Sequence, residues 1–102
     1  MSSNFNPIEN KTIDATTTSQ QVQFTAAKGI EGGIYNDTDL YILNESGSVA
    51  FVAWGLESAT ATSSSFAVGS GVSVIDIADA DFVAVMLASG AGKVYLSKGK
   101  GI

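Results

Sequence analysis

Apolar and polar residues alternate over short stretches of this chain, and no segment carries the 3.6-residue period of an amphipathic helix. Gln21-Val22-Gln23-Phe24-Thr25 alternates with period two and predicts a half-buried strand. Leu40–Asn44 and Val49–Trp54 predict two more, and Glu45-Ser46-Gly47-Ser48 between them reads as the tight turn of a β-hairpin. Phe66–Val68 predicts a short strand, turned by Gly69-Ser70-Gly71. Phe82–Leu87 and Lys93–Ser97 predict a second hairpin, across Ser89-Gly90-Ala91-Gly92. One further short strand is expected from Gly33 to Asn36, before the turn cluster Asn36-Asp37-Thr38-Asp39.

Two features break the simple pattern. In Val72-Ser73-Val74-Ile75-Asp76-Ile77 the valines share one face and the isoleucines the other, as a bulge or a crossing between sheets would produce. Val49–Trp54 and Phe82–Leu87 are apolar on both faces, whereas a strand of a two-layer sandwich normally turns one face to water. Their outer faces therefore need a cover, either a lid from the same chain or another subunit. The Ser/Thr/Ala-rich connector from Glu57 to Ser65 reads as a loop or a poorly packed edge strand, since its hydroxyl and β-branched residues disfavour a helix.

Short strands with frequent turn signals predict an all-β fold, a small antiparallel β-sandwich of jelly-roll-like form. Residues 1–18, polar with scattered Phe5, Ile8 and Ile13, read as an extended N-terminal arm, and residues 19–102 as one sandwich domain. A chain of 102 residues holds one modest core rather than two.

Composition narrows the chemistry. There is no Cys and no His, so disulfides, thiolate nucleophiles, the commonest general base and the commonest metal ligand are all missing. An enzyme is not expected. The charged fraction is 15%, well below the roughly 25% usual in soluble domains, and Ser, Thr, Gly, Asn and Gln fill the gap. That balance suits a surface partly covered by neighbours. The net charge of −5 and the lack of Arg argue against nucleic acid, which needs a basic patch. No apolar run approaches the roughly 18 residues of a membrane span. Met1–Pro7 lacks the basic and apolar regions of a secretory signal, so synthesis in a cytoplasm is expected.

Four local patterns bear on chemistry. Asp76, Asp79 and Asp81 are acidic but lack the spacing and central Gly of a calcium loop, and read as a solvated turn. Ser89–Val94 resembles a phosphate loop only in its Gly92-Lys93, because Leu87 and Val94 occupy the first Gly and the hydroxyl positions. No metal or cofactor is expected. Trp54 with Tyr41, Phe51 and Tyr95 would suit sugar stacking, although core packing is the commoner use of such residues. Lys93, Lys98 and Lys100 gather positive charge at the end of an acidic chain, a feature suited to docking on an acidic neighbour.

Three segments carry a resemblance. Asn44-Glu45-Ser46-Gly47-Ser48-Val49-Ala50-Phe51-Val52-Ala53-Trp54-Gly55 is similar to the Asn, turn, apolar strand and Gly pattern of small virion proteins of tailed bacteriophages. Phe82-Val83-Ala84-Val85 resembles an apolar strand of those proteins, and Gly92–Gly101 resembles their terminal strand and glycine tail, with Lys100 where the pattern often has an acidic residue. The resemblance implies a non-enzymatic structural protein, of the capsid decoration (cement) type, on the outer capsid surface of a virion assembled in the host cytoplasm. It further implies the major capsid protein as partner and a homo-oligomer, with a trimer favoured. The expected contact residues are Phe5, Ile8, Ile13, Phe51, Trp54, Lys98 and Lys100. Other readings are a tail, neck or fibre component, and a small carbohydrate- or host-surface-binding module.

Overall fold

The computed structural model describes residues 6–24, 39–77 and 80–100. Eight strands follow in order: β1 (Asn6–Ala15), β2 (Gln20–Gln23), β3 (Asp39–Asn44), β4 (Ala50–Gly55), β5 (Phe66–Val68), β6 (Gly71–Asp76), β7 (Phe82–Leu87) and β8 (Gly92–Lys100). The strand expected at Gly33–Asn36 lies outside the described residues, as does Phe5.

Four antiparallel pairs nest inside one another: β1 with β8, β2 with β7, β3 with β6, and β4 with β5. The chain is thus one long hairpin bent over on itself, and the pairs β3–β8 and β4–β7 close the roll. The result is two four-stranded sheets, β1-β8-β3-β6 (sheet A) and β2-β7-β4-β5 (sheet B). This is the jelly-roll arrangement of a β-sandwich.

Both predicted hairpins are corrected by this topology. β3 lies in sheet A and β4 in sheet B, and β7 and β8 are divided in the same way. Their short turns are arches that carry the chain from one sheet to the other, so consecutive strands face each other across the core instead of pairing. A turn rich in Gly and Ser permits either outcome, and long-range pairing decides between them. Asn44 organises the arch after β3. Its side chain is buried, donates to the carbonyls of Ser48 (2.8 Å) and Gly69 (3.2 Å), and accepts from the Ser46 amide and hydroxyl. The β7–β8 arch packs directly on it: a side chain at Gly92 would meet Ser46 Cα at 2.5 Å, and Ala88 N–H donates to the Val49 carbonyl.

β1 occupies the residues expected as an arm. It lies antiparallel along β8 as an edge strand of sheet A, with a register shift between Pro7 and Glu9. Proline is tolerated there because an edge strand has one unpaired side. The phase change in β6 is not a bulge, since its register with β3 runs unbroken from Gly71 to Asp76. Ile75 faces inward and packs against the core, Val72 and Val74 face outward, and Ile77 beyond the strand is buried.

The core lies between the sheets. Sheet A contributes Ile13, Leu40, Ile42, Val94 and Leu96, and sheet B contributes Ala50, Val52, Val68, Val83, Val85 and Leu87, with Phe24 beside them. Deleting such a buried side chain costs about 2–5 kcal/mol, because the lost transfer energy is compounded by a cavity.

Candidate interaction surface

The register fixes what each sheet shows to the outside. On sheet A, successive outward rows read Asp14–Lys93, then Thr12–Tyr95–Leu43–Val72, then Asn10–Ser97–Tyr41–Val74, then Asp39–Asp76. The two middle rows contain no charge and hold five apolar or aromatic side chains. Val72 and Val74 are 55% and 53% exposed, and Tyr41, Leu43 and Tyr95 are half-buried. Charged residues stand at both ends of the face. The exposed Lys93 ammonium donates to Asp14, and that hydrogen bond, with the attraction of the carboxylate, raises the lysine pKa above its ordinary value.

Sheet B is different. Its outward positions include Phe51 and Ala53 on β4, Ala84 and Met86 on β7, and Gln21 on β2. Ala84 is fully buried although it points away from the main core. The cover is the connector between β4 and β5. It leaves Gly55, where any side chain would strike the Ser58 carbonyl at 2.2 Å, and crosses to the far edge of the sheet. There Ala59 N–H donates to Gln21 Oε1 (2.6 Å) and Ala61 N–H to Ser19 Oγ (2.9 Å). Ala61, part of this connector, is itself buried. Alanines on both sides of the contact let the strap lie close. The doubly apolar pattern of β4 and β7 is answered here from within the chain, at least over Ala53 and Ala84.

The expected contact residues fall into separate places. Ile13 is in the core and Lys98 is buried, its ammonium donating to the Ala80 carbonyl (2.6 Å) and standing 3.6 Å from Asp81 Oδ1. Neither side chain is offered to a neighbour. Phe51 is half-buried on the outside of sheet B. Trp54 is 37% exposed at the rim and meets Phe66, 49% exposed, edge-on at 6.2 Å between ring centres. Ile8 lies in β1 at the register shift between Pro7 and Glu9, and Lys100 ends β8 opposite Asn6. The aromatic set considered for sugar stacking is dispersed: Tyr41 and Tyr95 share the outside of sheet A, whereas Trp54 and Phe51 belong to sheet B.

Sequence reasoning missed Leu43, Val72 and Val74 as surface residues. For the two valines the signal is the apolar second face of β6, a pattern that also fits a bulge or a crossing between sheets. The acidic trio divides, with Asp76 exposed on β6, Asp81 buried before β7 and Asp79 outside the described residues. Among the described residues, no cluster of three or more acidic side chains is placed to hold a metal ion, and no helix is long and apolar enough to cross a membrane. No family model matches the sequence, and no curated protein and no solved structure matches it.

Proposed function

We propose that this chain is a non-enzymatic structural protein of a tailed-bacteriophage particle, of the capsid decoration kind, that works by burying surface on the major capsid shell. The observation that carries the reading is the uncharged apolar face of sheet A, with Tyr41, Leu43, Val72, Val74 and Tyr95 in register and charges only at its ends. The jelly roll is an architecture of viral capsid proteins, and equally of lectins and cupins, so the fold supports the reading without deciding it.

Magnitude shapes the mechanism. Three strands about 4.8 Å apart, with two apolar rows, present on the order of 200–300 Å². A standard interface buries about 800 Å² per partner. One copy therefore holds its site weakly through this patch alone, and strength comes from repetition over a shell or from a homo-oligomer, a trimer being favoured. Sedimenting particles and quantifying this chain against the most abundant co-pelleting protein tests the reading. Parity or a simple fraction supports shell decoration. A trace ratio moves the chain to the tail, neck or fibre, and its absence from the pellet overturns the virion reading.

The exposed Trp54–Phe66 pair favours a second reading, a sugar- or host-surface-binding module with its site at the rim of sheet B. Glycan binding that is lost in Trp54→Ala, with no particle association, would select it.

A further inference from the structure

The ion pair at the end of the sandwich opposite the arches has a geometry that a simple charge pair does not require. Lys98 and Asp81 are both buried, with side chains 4% and 6% exposed. The Lys98 ammonium spends its short hydrogen bond on the Ala80 carbonyl, at 2.6 Å. Asp81 Oδ1 stands 3.6 Å from the nitrogen, just outside hydrogen-bond range, so the carboxyl group lies beside the amine without being held by it. The surroundings are apolar on one side. Leu40 and Ile75 continue the inward row from Lys98, and the Asp81 carbonyl accepts from the amide of the buried Phe24. A third ionisable group stands in the same row: Glu9 on β1 is directly opposite Lys98, and Lys11 holds it at 3.2 Å.

We propose that Lys98 and Asp81 condense to an intramolecular isopeptide bond, with Glu9 carrying the proton. The ion pair already contains every atom needed. A proton passes from the ammonium to the carboxylate, leaving a neutral amine and a neutral acid. The Nζ lone pair attacks Asp81 Cγ, and a tetrahedral centre forms. Glu9 takes a proton from that nitrogen and returns it to the departing hydroxyl, which leaves as water. One carbon–nitrogen bond forms, one carbon–oxygen bond breaks, and Glu9 ends unchanged. No oxidant or activating group is consumed.

Burial favours this direction, because two charges that are costly to keep buried become one neutral amide. The product joins β8 of sheet A to the segment entering β7 of sheet B, giving a cysteine-free chain a covalent link between its sheets. The inference is independent of the particle reading.

Intact-mass spectrometry of the folded, purified chain tests it. The expected result is a mass one water, about 18 Da, below that of the sequence, with a branched peptide joining the segments that contain Asp81 and Lys98. Lys98→Arg and Asp81→Ala are expected at full mass. Glu9→Gln is expected to fold and to lose water at least tenfold more slowly, with Glu9→Asp recovering part of the rate. A wild-type chain that stays at full mass after prolonged incubation in the folded state overturns the proposal, whatever the variants do. So does a deficit retained in Lys98→Arg.

Discussion

The two outer faces of the sandwich solve the same problem differently. Both sheets contain strands that are apolar on their second side. Sheet B covers part of that surface with its own connector, tied by Gln21 and Ser19, with Ala59 and Ala61 in the connector and Ala53 and Ala84 on the sheet. Sheet A carries larger side chains, Tyr41, Leu43, Tyr95, Val72 and Val74, and two of these are more than half exposed. The difference lies in residue size as well as in coverage. Small residues let a strap lie close to the sheet, whereas bulky, well-spaced ones present a textured surface suited to an external partner. Apolar content outside a core is therefore informative only once the cover, or its absence among the described residues, is known.

This contrast can be pressed from its strongest consequence downward. On β8, alternate residues serve the core and the open face. Leu96→Ala is expected to cost about 3 kcal/mol in denaturant unfolding, from lost burial plus a cavity, whereas Tyr95→Ala should leave the fold intact and weaken attachment. Equal destabilisation by both would mean that the outer face is structural. The next comparison places the same charge on each face. Ala84→Glu, under the strap, should cost about 1–3 kcal/mol through overpacking and a buried charge. Val74→Glu, on the open face, should stay within about 0.5 kcal/mol of wild type by the same measurement.

Releasing the strap is a smaller change. Gln21→Ala removes the acceptor of the Ala59 amide and should cost about 1 kcal/mol. Hydrogen exchange should report it as faster exchange at Ala59 and Ala61, with core amides in β7 little changed. The smallest effect lies at the charged end of sheet A. Because the folded-state pKa of Lys93 is raised, its pairing with Asp14 is fully present below the ordinary lysine range and is lost as pH rises through the folded value. Both groups are mostly exposed, so Asp14→Asn should not measurably shift the melting temperature at neutral pH.

Much of the strand content was legible in the sequence because period-two alternation and glycine-bearing turns are local signals. Phe66–Val68 and Phe82–Leu87 match β5 and β7 in both bounds, and Leu40–Asn44 matches β3 except that the strand starts at Asp39. Sheet membership was not legible. The turn at Ser46-Gly47-Ser48 has the chemistry of a hairpin, yet Asn44 uses it to form an arch, and that choice depends on β8 and β6 flanking β3. The N-terminal residues looked like an arm because Asn6–Ala15 carries little apolar content, as suits an edge strand with one outward polar face. Lys98 looked like part of a basic tail; only the fold brings Asp81 and the Ala80 carbonyl to it. The need for a cover over β4 was visible in advance, while the identity of the strap depended on two hydrogen bonds spanning about forty residues of sequence.

We propose the open face of sheet A as the surface by which the chain attaches to a shell. Co-sedimentation of purified Val74→Glu with undecorated particles, beside wild type and with unfolding curves for both, tests it most directly. The account predicts wild type in the pellet and the variant in the supernatant with an unchanged unfolding midpoint. A variant that pellets at the wild-type ratio would contradict it.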